Sequence, residues 1–187
     1  MGNIKMRRFI LYSRTGQTAP FVGSLMDAGR LDIVYQCIFT SMFASHAIRR
    51  DTEFHAFLYG APIPPVHVAV DGKTLHDVRI DENTWRSILN NLLAGKDHPG
   101  ISSKKEGIEG FSKDLSETYV LSEKGDPIEE LKFSSPSFFV GDNVGLPKKF
   151  EDLLLKNGAK KVSIGQERYL AASTIDIVNY ILDKKRI

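Results

Sequence analysis

The chain is predicted to fold as α/β, with a mostly parallel sheet and flanking helices. Three observations lead there. Short apolar runs alternate with stretches whose apolar residues recur every three or four positions, the periods of buried strands and amphipathic helices. Two of the runs, Ser137-Phe138-Phe139-Val140 and Val162-Ser163-Ile164, each end at a glycine. Between them a segment starts at Pro147, carries Phe150, Leu153 and Leu154 on one face, and stops at Asn157-Gly158. That is a strand–helix–strand unit with its strands parallel. With 187 residues there is enough chain for a substantial core, and residues 1–187 are read as one domain.

Each element follows from its own residues. Arg8–Ser13 (RFILYS) reads as a first strand, and the Gly-, Thr-, Ser- and Pro-rich stretch 14–29 as a mobile loop. Leu31–Ile48 reads as a helix, with Val34, Cys37, Ile38 and Met42 on its apolar stripe and Asp32, Gln36 and Thr40 on another face. Cys37 therefore belongs to packing rather than chemistry. Glu53–Gly60 is the next strand. Pro62–Pro65 breaks the chain before an apolar run, Val66–Val70, that ends in the turn Asp71-Gly72. Asp81 is placed to cap a helix whose Trp85, Ile88, Leu89, Leu92 and Leu93 share a face. Residues 95–112 show no period and read as an exposed insertion or a substrate-facing loop. Thr118–Ser122 is another strand, followed by a turn at Glu123–Pro127. Ala171–Asp183 is a final helix with Ala171, Ile175, Val178 and Ile181 turned inward.

Composition narrows the function classes. An apolar fraction of 42% and a charged fraction of 26% are ordinary for a soluble globular protein. A net charge of +2 gives no global field for nucleic acid, so any such role needs local basic clusters such as Arg7-Arg8 or Arg49-Arg50. The one cysteine excludes an internal disulfide and a cysteine-built metal site. His46 and His55 are too scattered for a metal, and none is expected. No apolar run approaches the roughly 20 residues of a membrane span, and the start MGNIKMRR has no signal-type apolar stretch after it. A cytoplasmic protein is expected.

In an open parallel sheet, ligands sit at the carboxyl ends of the strands. Those ends are Gly141–Leu146 and Gly165–Leu170. Glycine at the head of each loop lets backbone approach a planar ligand or simply makes a tight turn; spacing alone leaves both open.

Five segments stand out together: Gly29-Arg30-Leu31-Asp32, His46–Asp51 (HAIRRD), Leu58–Pro62 (LYGAP), Phe139–Pro147 (FVGDNVGLP), and Ser163-Ile164-Gly165 with Tyr169-Leu170-Ala171. They resemble the SPOUT family of S-adenosylmethionine-dependent RNA methyltransferases, and more narrowly its archaeal tRNA pseudouridine-54 N1-methyltransferases. The resemblance implies a C-terminal trefoil knot, S-adenosylmethionine bound bent between the knot loops, and a homodimer with the site at its interface. It implies cofactor contacts at Leu58, Gly60, Val140, Gly141, Asp142, Gly145, Ile164, Gly165, Tyr169, Leu170 and Ala172. Ala172 and Thr174 stand where the family often has a serine and a cysteine. Arg30, Asp32 and Asp51 are the polar groups expected near the base, and Arg8, Arg49 and Arg50 those expected on RNA. The implied activity is methyl transfer to N1 of pseudouridine in the T-loop of tRNA. A small-subunit rRNA substrate, or a non-catalytic knotted RNA-binding factor, are the alternatives.

Overall fold

The computed structural model describes residues 5–187, so part of the N-terminal segment read for a signal lies outside the described residues. The first half contains β1 (Arg7–Ser13), α1 (Leu31–Met42), β2 (Phe43–Ala44), β3 (Ala47–Ile48), β4 (Thr52–Leu58), β5 (Val66–Asp71) and α2 (Glu82–Leu93). The second contains β6 (Ile101–Lys104), α3 (Ile108–Phe111), β7 (Thr118–Pro127), β8 (Ser137–Gly141), α4 (Lys148–Lys156), β9 (Lys160–Ser163) and α5 (Ala171–Lys185). One seven-stranded sheet runs β6-β5-β4-β1-β8-β7-β9. Its strands are parallel from β4 to β9, and β5 and β6 add an antiparallel flank.

The central strands are apolar on both faces because both faces are covered. In β1, Phe9 and Leu11 join the core under α1, α2 and α5, whereas Ile10 and Tyr12 face α3 and α4. The helical stripes read from sequence are the buried ones: Val34, Cys37, Ile38 and Met42 in α1, Trp85, Ile88, Leu89 and Leu92 in α2, and Ile175, Val178 and Ile181 in α5. Asp81 caps α2 by accepting from the Thr84 amide at 2.9 Å. Burial pushes the Cys37 thiol up, so it is an inert core group. Among the described residues no helix is long and apolar enough to cross a membrane.

Several local expectations change. The first helix ends at Met42, and its last residues form a β2–β3 hairpin. The Thr40 and Ser41 hydroxyls bond carbonyls of the preceding turn, and Asn179 of α5 donates to the Thr40 and Ser41 carbonyls at 3.0 and 3.4 Å. A distant side chain thus caps the helix. Stretch 14–29 is a packed loop, with Phe21, Leu25 and Ala28 buried and the Thr18 hydroxyl donating to the Gly60 carbonyl. Residues 95–112 contain β6 and α3. The turn expected after Ser122 is a bulge instead: Leu121 and Asp126 both pair with Val162. Strand β9 is parallel to β8 but separated from it by β7.

Arg7 ties the two ends of the chain together. Its guanidinium, 3% exposed, donates to Asp51 at 2.9 Å, Asp183 at 2.8 Å, Asn179 at 3.1 Å and the Ile187 carbonyl. Arg49 adds a two-bond contact to Asp183. Burial pushes the Asp183 carboxyl up, but hydrogen bonds from Arg49 and Arg7 outweigh it and hold the group below its ordinary value. Such a depressed carboxyl contributes stability in full above the unfolded aspartate value of about 3.9, and that stability is lost as pH falls through the folded value. Arg7→Ala should cost roughly 3 kcal/mol in denaturant unfolding, because partners stay partly buried and unpaired. Asp183→Asn should flatten the acid side of the stability curve; an unchanged acid limb would remove this carboxylate from the linkage.

Candidate active site

Loops 141–146 and 164–170 face each other across a cleft of about 640 Å³ at the carboxyl ends of β7, β8 and β9. Eight of the expected cofactor positions line it: Val140, Gly141, Asp142, Gly145, Ile164, Gly165, Tyr169 and Leu170. The wall that sequence reasoning missed comes from β7, where the bulge carries Ser122, Glu123 and Lys124 over the cleft. Its signal was present as Gly125-Asp126-Pro127, which reads equally as an ordinary turn.

Backbone bonds, not side-chain bulk, shape the first loop. The Asp142 amide donates to the Tyr12 carbonyl at the end of β1. Its carboxylate accepts from the Arg14 amide at 2.7 Å and the Val144 amide at 2.9 Å. A Cβ on Gly141 would lie 2.1 Å from the Leu146 nitrogen, so this glycine is required by closure of its own loop. Gly165 differs: it has φ 140° and a Cβ there would meet open space. Ser163 holds that turn, its hydroxyl accepting from the Gly165 amide at 3.1 Å. Arg168 then crosses to Glu123, donating at 2.7 and 3.0 Å, and ties the second loop to the β7 bulge. On the lower wall Lys161 pairs with Glu151 at 2.5 Å. Helix α5 starts at this cleft without a side-chain cap, and Thr174 on its first turn is a lining residue.

The other expected site residues divide by position. Leu58 and Gly60 end β4 and support the packed loop: Cβ atoms on Gly60 and Gly29 would strike the Thr15 carbonyl oxygen at 2.2 and 1.8 Å. They do not line the cleft, nor does Ala172, which packs on the core. Arg30, at φ 67°, holds Asp32 through two bonds of 2.9 and 3.0 Å. That hydrogen-bonded pairing, with the Asp142 carboxylate adding to it, raises the Arg30 guanidinium above its ordinary value. Arg30 and Asp32 do not line the cleft either; they stand where the loop after β1 enters α1, beyond the carboxyl end of that strand. Asp51, Arg49, Arg50 and Arg8 lie instead at the amino ends of β1 and β4, where Asp51 and Arg49 belong to the Arg7 cluster. Arg50 donates to the Gly72 and Leu75 carbonyls at 2.8 and 2.7 Å, and Arg8 pairs with Glu53 at 2.5 Å. Charges there hold the chain termini and a turn, a demand that local sequence does not reveal.

A parallel sheet whose carboxyl edge is closed into a cleft by two glycine-led loops defines a ligand-binding α/β protein. The chain belongs to the family described as "Putative SAM-dependent RNA methyltransferase", whose model matches residues 6–187. It is 31% identical over 193 aligned residues to a tRNA (pseudouridine(54)-N(1))-methyltransferase of Methanocella arvoryzae, covering 96% of this chain and 100% of the relative. A protein of the same name from Thermococcus kodakarensis is 35% identical, with 95% and 99% covered. In fold the chain is similar to Archaeoglobus fulgidus Nep1, solved with S-adenosylhomocysteine, at a TM-score of 0.69, with 16% identity and 97% and 98% of the chains covered.

The Asp142 staple makes a local prediction. Asp142→Ala frees the Arg14 and Val144 amides, and their hydrogen exchange should speed up about tenfold or more while exchange in the sheet is unchanged. Equal protection in the variant would show that the loop is held by other contacts.

Proposed function

We propose that this chain transfers a methyl group from S-adenosylmethionine to N1 of pseudouridine 54 in the T-loop of tRNA. The observation that carries the reading is the glycine-led cleft in a chain matched end to end by relatives named for that reaction.

The residues fit the cofactor. A cleft of about 640 Å³ is of the size that holds a nucleoside-sized ligand, within about 300–1,000 Å³. Leu121, Val140, Ile164 and Leu170 supply apolar surface for a purine. The open side of Gly165 and the uncapped amides of α5 supply backbone donors and acceptors. When bound, S-adenosylmethionine supplies an electrophilic methyl group with a neutral thioether as leaving group. Transfer of that methyl to N1 would leave the thioether behind and would require a group on this chain to accept the N1 proton. We assign that proton to the Asp32 carboxylate, held in orientation by Arg30. The Arg30 guanidinium faces the charge that develops on the ring carbonyls. Arg14 and Lys124, exposed at the same end and without an ion-pair partner among the described residues, are the cations we assign to RNA phosphates.

The knot and the dimer belong to the same proposal. Helix α5 leaves the edge strand β9, crosses to pack beside α1, and ends with Lys185 on the Glu129 and Leu131 carbonyls of the β7–β8 connection at 2.6 and 3.0 Å. That path supports a C-terminal knot. Tyr169, Leu170 and Val144 expose 49%, 72% and 59% of their surface at the rim of the cleft, and supply the apolar surface a second copy would cover.

The test is nucleoside mass spectrometry after incubation with labelled S-adenosylmethionine and, in separate reactions, small-subunit rRNA or tRNA carrying uridine or pseudouridine at position 54. Label on N1 of pseudouridine, and none on the uridine transcript, is expected; label only in small-subunit rRNA would change the substrate. Asp32→Asn should lower kcat about 10²-fold with cofactor affinity unchanged. Gly165→Val should instead weaken S-adenosylhomocysteine binding at least tenfold in a folded protein, since a branched side chain fills the open face. Full binding by that variant would move the cofactor elsewhere.

A further inference from the structure

Two buried histidines on neighbouring strands form a line of polar contacts away from the cleft. His55 of β4 is 8% exposed and His67 of β5 is 2% exposed. His55 Nδ1 lies 3.0 Å from His67 Nε2, and His67 Nδ1 lies 2.8 Å from the Glu106 carboxylate. At the other end, His55 Nε2 faces Glu53 Oε2 at 3.7 Å and is buried without a hydrogen-bond partner. Each carboxylate also meets a cation: Arg8 donates to Glu53 at 2.5 Å, and Lys104 stands 3.0 Å from Glu106. The other charges around the pair have partners or stand apart. Asp71 accepts from the Lys73 amide and the Thr74 hydroxyl, and Glu109 of α3 accepts from the Tyr59 hydroxyl. Asp97 and His98 line the same cavity as His55, with His98 Nδ1 against the Pro99 carbonyl.

The line has a definite appetite for protons. Three contacts join the four groups, and each needs one hydrogen between its two heavy atoms. Two neutral imidazoles bring two. A carboxylate only accepts, so His67 donates to Glu106 through Nδ1 and accepts through Nε2. His55 then donates through Nδ1, and nothing is left for its contact with Glu53. One added proton, on His55 Nε2, completes the line and leaves a single positive charge between two carboxylates. A further proton has no place, because it sets N–H against N–H between the rings. His67 shows the same asymmetry: burial, and then the charge on His55, push it down to about 4. His55 in turn is the main group that holds the Glu53 carboxyl below its ordinary value.

Helix α3 rests on this line. Glu106 leads into it, and Phe111 packs on both imidazoles, with ring centroids 4.5 and 5.0 Å away. The Ile108 amide donates to the Tyr59 hydroxyl at 3.1 Å, just beyond the carboxyl end of β4. We propose that the His55–His67 pair is a proton-operated latch: the first added proton closes the His55–Glu53 contact and holds α3 on the sheet, and a second breaks the bond between the rings and releases it. The sign of the second step follows from His67. Its folded value lies below the unfolded one of about 6.5, so its stabilising contribution is complete above about 6.5 and is lost as pH falls through about 4.

The experiment follows histidine side-chain nitrogens of the full chain by NMR from about pH 8 to about pH 4, with amide protection factors for Ile108–Phe111. His55 Nε2 should gain a proton first, while His67 Nε2 stays an unprotonated acceptor and protection of α3 rises. Near the acid end His67 Nε2 should gain its own proton, and that protection should fall at least tenfold with β1 and β8 unchanged. Glu53→Gln, at a part-exposed position, should lower the proton affinity of His55 about tenfold. His67→Gln keeps a donor for Glu106 and an acceptor for His55, and should abolish the acid release. The proposal is overturned if both rings gain their second protons together, if Glu53→Gln titrates like the native chain, or if protection of α3 is indifferent to pH.

Discussion

The buried guanidinium of Arg7 is the constraint on which the rest of the structure depends. One planar group with five donors joins the first strand, the turn into β4, helix α5 and the last residue. Helix α5 carries Thr174 and the uncapped amides into the cleft at its other end. The position of that helix sets the shape of the ligand site, and Arg7 with Arg49 sets the position of the helix. Asn179 extends the same logic by capping α1. Removing solvent from so many charges is costly, and the hydrogen bonds among them offset that cost although Arg7 Nε and Arg49 Nε are buried without a partner.

This explains why the legible and illegible parts of the sequence separate as they do. Strand and helix periods in β1, β4, β5, α2 and α5 arise from local burial, and the sequence displays them directly. So do the glycine-led loops, since Gly141 and Gly165 answer to their own backbones. Helix α1 was read too long because its terminator is Asn179, more than a hundred residues away. Asp51, Arg49 and Arg50 were expected near the base or on RNA; their partners within the chain are Arg7, Asp183 and two turn carbonyls, and a dense charged segment reads the same whether it meets RNA or a helix end. The β7 wall of the cleft was hidden because a bulge and a turn share the same glycine and proline signals.

The two ends of the sheet have separate work. At the amino edge, ion pairs among Arg7, Arg8, Arg49, Asp51, Glu53 and Asp183 fix the frame. At the carboxyl edge, backbone groups and a few side chains shape an opening. Relatives near 30% identity span the same length as this chain.

The excursion in β7 has an architectural consequence. Because Leu121 and Asp126 meet the same residue of β9, the ladder closes on either side as though residues 122–125 were absent. Glu123 and Lys124 hang over the opening like an awning bolted to one beam, and a Cβ added to Gly125 would fall 2.4 Å from the Val162 nitrogen, so only glycine fits there. Lengthening, shortening or recharging that awning alters what enters the opening without shifting the register of a single strand. It is the part of this fold in which evolution can change selectivity while leaving the scaffold alone.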